Sequence, residues 1–190
     1  MFYRIRRRLQ ALLPRLNIEV FYSHYLREIP EVVTSMPISI NVLTKDKISS
    51  INSVKKQDVD KLNRRLERGD LCYSGIAIVN DATTSYHWVQ EKGKHFIQQA
   101  GRFETMKENE ACIYHVRVSD EYKGNKINGA VYSRILTDSK IKGIQKVWVY
   151  TNIYNAANRK GLEKLGFVMD YKMYSLHFNN RYYQIYKKKI

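Results

Sequence analysis

Val116-Arg-Val-Ser-Asp-Glu-Tyr-Lys-Gly-Asn-Lys-Ile-Asn-Gly-Ala130, then Lys146-Val-Trp-Val-Tyr150, then Asn155-Ala-Ala-Asn-Arg-Lys-Gly-Leu-Glu-Lys-Leu-Gly-Phe167, is the stretch that decides the fold of this chain. An apolar strand enters a short polar turn containing Gly124, and the turn opens into a helix expected over 125–138, with Ile127, Ala130, Val131 and Ile135 as its apolar stripe. In that layout the backbone N–H groups of the first helical turn face outward beyond the strand, where they receive phosphate oxygens. A second strand follows over 146–150, and a second helix over 156–165 stops at Gly166.

Working outward, strict alternation in Ile38-Ser-Ile-Asn-Val-Leu43 predicts a half-buried strand. Thr44 or Asp46 is placed to cap a short helix through Ile51. A longer helix spans about 57–68, with Val59, Leu62 and Leu66 on one face and Gly69 past its end. Strands at 71–79 and 83–89 form a hairpin across Asn80-Asp81. A polar connection leads to a strand at 111–118, and a hairpin of 169–178 with 181–186 closes the chain across Asn179-Asn180. The order is strand, helices, three strands, helix, strand, helix, hairpin, a mixed α/β plan.

The chain has 190 residues, 44% of them hydrophobic, with no low-complexity run; this fits a folded domain and excludes wholesale disorder. No apolar run approaches the roughly 20 residues a membrane span needs. Cys72 and Cys112 fall on separate strands without metal-ligand spacing, so buried reduced thiols are expected and no metal site. Net charge is +15. Arg4, Arg6, Arg7, Arg8 and Arg15 near the start and Arg181, Lys187, Lys188 and Lys189 near the end supply nine of those charges. Residues 1–36 read as a basic extension: an amphipathic helix to Leu13, Pro14 as breaker, then a mixed apolar stretch from Ile18 to Ile29. Such a helix suits an anionic membrane surface or packing on its own domain. It lacks a signal peptide's apolar core, so a cytoplasmic, membrane-peripheral location is expected.

The turn, the strand and the Leu165-Gly166-Phe167 ending together resemble the GCN5-related N-acetyltransferase (GNAT) family, over about residues 38–178. The resemblance implies an α/β fold of GNAT type, a mixed central sheet flanked by helices, occupying residues 37–190 behind the basic extension. The family's cofactor turn reads Arg/Gln-x-x-Gly-x-Gly/Ala, and here Lys123, Lys126 and Asn128 stand at the three defining positions. Lys126 in place of glycine is a departure, since glycine lets backbone approach a pyrophosphate closely. By the same resemblance Lys123, Gly124, Asn125, Lys126, Ile127, Asn128 and Gly129 would bind the pyrophosphate of acetyl-CoA. Val116 and Val118 would pair with the pantetheine amides in the gap between two parting parallel strands, and Asn155 would bond the pantetheine arm or its surroundings.

The implied activity is acetyl transfer from acetyl-CoA to a primary amine by direct attack in a ternary complex. Glu110, at the offset where some family members carry a catalytic glutamate, is the expected base, and His115 is an alternative. Leu162 stands where the family often has a proton-donating tyrosine. Tyr154, Tyr150 and Tyr171 are nearby substitutes, with Tyr154 taken as the catalytic one. The positive charge favours an amino sugar, a sugar nucleotide or an acidic partner as acceptor over a polyamine. Two other readings stay open. One is transfer from an acidic acyl carrier protein; the other is a non-catalytic GNAT-like module whose basic termini bind nucleic acid or an anionic membrane. The fifteen tyrosines are read as strand formers rather than a base-stacking platform, so nucleic acid is the less favoured partner.

Overall fold

The computed structural model describes residues 14–179 and 181–190. The expected basic helix to Leu13 lies outside the described residues. The described residues form ten strands and three α-helices. In chain order they are β1 Arg15–His24, β2 Ile38–Val42, α1 Val59–Glu67, β3 Leu71–Ala77, β4 Thr83–Gln90, β5 Lys94–Ile97, β6 Arg102–Thr105, β7 Glu110–Val118, α2 Ile127–Ile141, β8 Lys146–Asn152, α3 Ala156–Lys164, β9 Val168–Phe178 and β10 Arg181–Lys189. A 3-10 turn at Ile48–Ser53 stands where a short helix through Ile51 was expected.

Eight strands form one sheet in the order β10-β9-β1-β8-β7-β4-β3-β2, and β5 and β6 make a separate hairpin. Every neighbouring pair is antiparallel except β7 and β8. The mixed sheet with flanking helices agrees with the fold class read from the sequence. Asp58 caps α1 by accepting from Asp60 N and Lys61 N, which satisfies donors the helix itself cannot.

The sheet has an apolar core on each face. Val20, Tyr22, Ala111, Ile113, Val147 and Val149 pack with Val131 and Ile135 of α2 and Leu162 of α3. Phe21, Cys112 and Trp148, their alternating neighbours, pack on the other face with Leu62 of α1 and Ile97 of β5. Leu162, which the sequence comparison set where a proton donor was sought, is a fully buried core residue. Cys72 and Cys112 are buried free thiols.

The sequence reading placed residues 1–36 outside the domain, and for Arg15 to His24 the structure differs. This stretch is β1, in the middle of the sheet, with Glu19 opposite Asn152 on β8 and Met173 on β9. The physical reason is its two-sided pattern: Val20 and Tyr22 face one core while Phe21 faces the other, as in a strand covered on both sides. The residues after it run along α2, where Ser133 Oγ donates to Pro30 O at 2.7 Å and Lys140 Nζ to Arg27 O at 3.1 Å. Gly129 makes room for this strap, since a Cβ there would lie 3.2 Å from Val32.

Candidate active site

β7 and β8 pair in parallel only from Glu110↔Lys146 to Ile113↔Val149. β7 continues to Val118 and β8 to Asn152, so the two strands part beyond Ile113 and Val149. On its other edge β7 stays paired with β4. There Trp88 faces Tyr114 and Tyr86 faces Arg117, which leaves His87 opposite both His115 and Val116. This is a β-bulge, with His115 at φ 51°. The bulge resets the alternation: Val116 joins Ala111 and Ile113 on the α2 face, whereas Cys112 and Tyr114 face α1. Without the bulge, simple alternation would put Val116 with Tyr114.

The parting strands open a cleft of about 1790 Å³ that reaches both faces of the sheet. On the α2 face it is lined by Val116, Val118, Lys123, Gly124, Asn128 and Asn155. Lys126 is the N-cap residue of α2, at φ 59°, and makes no side-chain capping hydrogen bond; the first turn holds no acidic residue. The 15-residue helix therefore presents uncapped N–H groups and the positive end of its dipole beside the cleft. His87 holds the turn from below. Its Nε2 donates to Asn128 Oδ1 at 2.8 Å, and burial pushes the imidazole down to about 4. Asn155 caps α3 by accepting from Asn158 N at 3.2 Å, so its amide N–H groups remain directed outward.

On the α1 face the cleft is lined by Glu19, His95, Tyr114 and Tyr150. Gln90 Nε2 donates to the carbonyls of Lys92 and Lys94, which turns its Oε1 toward His95 Nδ1 at 2.9 Å. His95 therefore carries its proton on Nδ1, and Nε2 accepts from the Tyr150 hydroxyl at 3.2 Å. Burial, reinforced by Arg68, pushes His95 down to about 4 and keeps it neutral. Glu19 is 4% exposed. Burial raises its carboxyl pKa, and hydrogen bonds from Asn17 and Asn152 take back part of that rise. Because Phe21 stands opposite Tyr150 and Glu19 opposite Asn152, Glu19 and Tyr150 are diagonal neighbours on one face, roughly 7 Å apart. A buried carboxyl with a raised pKa in a cleft is suited to proton transfer.

The expected site residues divide. Val116, Val118, Lys123, Gly124, Asn128 and Asn155 are brought together around the cleft. Ile127 is buried in the core and Gly129 packs against Val32. The Asn125 side chain donates back to Tyr122 O at 3.2 Å. Lys123 is paired with Asp120, so its charge is partly balanced within the turn. Glu110 lies at the paired end of β7, about 13 Å before Tyr114, where it meets Lys146 at 3.6 Å and accepts from Lys107 N. It does not line the cleft; an offset counted from Gly124 carries no information about where the strands part. Tyr154 is 83% exposed in the turn after β8 and does not line the cleft either. Glu19 and His95 were missed. The alternation of Ile18, Val20 and Tyr22 was the signal available for Glu19, whereas nothing in the sequence pointed to His95.

Neither a protein-family model nor a curated protein matches the chain. Solved structures do. A GNAT-family protein from Novosphingobium aromaticivorans is 13% identical at a TM-score of 0.59, over 84% of this chain and 63% of that one. A GCN5-related N-acetyltransferase from Sphaerobacter thermophilus is 10% identical at 0.60, over 93% and 55%. An acetyltransferase from Trypanosoma brucei is 17% identical at 0.52, over 70% and 93%. The chain thus spans about three fifths of the length of the first two. At these identities the likeness is one of architecture: the chain has the GNAT fold. No helix among the described residues is long and apolar enough to cross a membrane.

Proposed function

We propose that the chain transfers an acetyl group from acetyl-CoA to a primary amine. The observation that carries this reading is the parting of β7 and β8 after Ile113↔Val149, with the uncapped start of α2 at the end of the gap. The residues present fit the donor. The backbone of Val116 and Val118 offers strand-like hydrogen bonds to the two pantetheine amides, and the turn from Lys123 to Asn128 offers N–H groups to the pyrophosphate. Tyr132, whose buried hydroxyl has no hydrogen-bond partner among the described residues, lines the same space and can serve an amide.

Acetyl-CoA would supply an activated carbonyl and a thiolate leaving group. The chain's own residues supply the rest. With its proton committed to His95, the Tyr150 oxygen faces the cleft as an acceptor and positions the amine N–H. Glu19, its diagonal neighbour, takes the proton that the nitrogen must lose. The raised pKa of Glu19 brings it nearer the working pH, which favours that role over an exposed carboxylate's.

The test is release of free CoA thiol in the presence of acetyl-CoA and a panel of primary amines. Background from the protein is small, because burial pushes Cys72 up to about 12 and Cys112 well above the normal thiol range. Amine-dependent thiol release supports the reading. A chain that binds neither acetyl-CoA nor CoA refutes it.

A further inference from the structure

Around the bulge at His115 the α1 face of the cleft gathers positive charge. Arg65 Nη1 lies 2.7 Å from His115 Nδ1, and its guanidinium stands over the rings of Trp88 at 5.0 Å and Tyr114 at 5.3 Å. Two rings and an imidazole hold it in one place, so little side-chain entropy remains to be lost when it meets a ligand. Because arginine can only donate, His115 accepts at Nδ1 and bears its own proton on Nε2, which adds a neutral donor. Lys55, Lys61 and Arg117 come close enough that, after burial and Arg65, they help to push His115 down to about 3. None of Arg65, Lys55, Lys61 or Arg117 has a carboxylate within salt-bridge distance among the described residues. Asp70, which accepts from the Tyr114 hydroxyl and pairs with Arg68, is the nearby acid; four like charges with no carboxylate in salt-bridge contact remain unfavourable in the free protein and become favourable when an anion enters. His115 is also held at φ 51°, a conformation that costs a non-glycine residue free energy and is retained mostly at functional positions.

This cluster is separate from the donor's phosphate turn. Leu62 and Leu66 of α1 pack on one face of the sheet, whereas Ile127, Val131 and Ile135 of α2 pack on the other. An anion at Arg65 is therefore carried by the molecule that enters from the α1 face, where Glu19 and Tyr150 lie.

We propose that Arg65, with Lys55, Lys61 and Arg117, forms a phosphate site for the acceptor, and that the acceptor is a primary amine bearing a phosphate or diphosphate group. Four cations around a planar, pre-positioned guanidinium match two or more negative charges better than the single charge of a carboxylate. The proposal rests on the acetyl-transfer reading for the word acceptor, but not for the anion site itself.

The test is a calorimetric titration of inorganic pyrophosphate into the full chain saturated with CoA, which fills the donor's phosphate turn. Pyrophosphate binds the CoA-saturated protein in the expected result. Arg65→Gln weakens that binding by about tenfold or more, Lys61→Gln weakens it less, and CoA affinity stays within about twofold. Arg65→Lys, which keeps the charge, and the melting temperature of each variant separate lost recognition from lost folding. In the thiol-release assay O-phosphoethanolamine and glucosamine 6-phosphate outperform ethanolamine and glucosamine, and comparing the two phosphates distinguishes a lipid-headgroup amine from an amino sugar. Loss of pyrophosphate binding on CoA saturation, or equal weakening of CoA by Arg65→Gln, would assign these cations to the donor and overturn the proposal. Failure of CoA itself to bind sinks the acetyl-transfer reading instead, and the anion site is then judged by pyrophosphate binding to wild type and Arg65→Gln alone.

Discussion

Acidification should destabilise this protein in a pH window set by its histidines. His87 and His95 are both held down at about 4, burial being the main cause in each. At His87 the Nδ1 atom is buried without a hydrogen-bond partner among the described residues, and the ring edge meets Tyr132. Protonation there would create a charge and a donor with nothing to receive it. At His95 the cations Arg68 and Arg65 oppose protonation while Asp70 favours it. An unfolded histidine titrates near about 6.5, above the folded value. The two histidines therefore contribute stability fully above about pH 6.5, and that contribution is lost as the pH falls toward about 4, because the unfolded chain takes up protons the folded chain refuses.

At about pH 5.5 each unfolded histidine gains roughly 1.4 kcal/mol, so these two together with His115, held at about 3, remove about 4 kcal/mol relative to about pH 7.5. For a chain of this size that lowers the melting temperature by about 8–16 °C. Most carboxylates titrate below about pH 5 and stay out of this window. Glu19, with its raised pKa, works in the opposite direction and trims the loss. The assay is a set of thermal melts followed by circular dichroism from about pH 7.5 to about pH 5.5, with His95→Gln expected to remove about a third of the slope. A melting temperature that holds within about 2 °C over that range, or histidine resonances for both residues that titrate near the free value, would refute the reasoning.

Three further outcomes are expected. Glu19→Gln should lower kcat by about 10²-fold or more while leaving acetyl-CoA affinity near wild type; kinetics on the accepted amine decide this, and an unchanged kcat removes Glu19 from proton transfer. Lys126→Gly should stabilise the fold by about 0.5–1 kcal/mol, because glycine relieves the left-handed strain at φ 59° and gives back only part of that gain as chain entropy; denaturant midpoints measure it. Gly101→Ala should destabilise by about 3 kcal/mol, since a Cβ there would lie 2.0 Å from the Tyr182 carbonyl oxygen at a φ of +63°; a melting temperature equal to wild type would show that β10 shifts freely from the hairpin.

What could be read in the sequence followed from local period and punctuation. The strand ending at Val118, the helix opening at Ile127 and the stop at Gly166 each announce themselves within about ten residues, so the strands and the turn were accessible, whereas the parting of the strands came only through the family resemblance. Gly124 and Asn128 in the turn, and Asn155 at the start of α3, were legible as site residues through that resemblance. Glu19 was not, because its position depends on β1 inserting between β8 and β9, a pairing across more than a hundred residues that no local pattern specifies. The bulge at His115 was equally hidden, because one extra residue in β7 becomes visible only against its partner Trp88 on β4. Nothing in the helix pattern distinguishes Arg65 from its neighbouring cations; Trp88 and Tyr114 beneath it do so only in the folded structure.

The measurement that bears most directly on acetyl transfer is amide hydrogen exchange with and without acetyl-CoA. Slowed exchange at Val116 and Val118 and through the turn from Gly124 to Gly129, with β2 and β3 unchanged, is the predicted result. Tight binding that leaves the amides of Val116 and Val118 unprotected, or protection confined to another part of the chain, would contradict a donor held between β7 and β8.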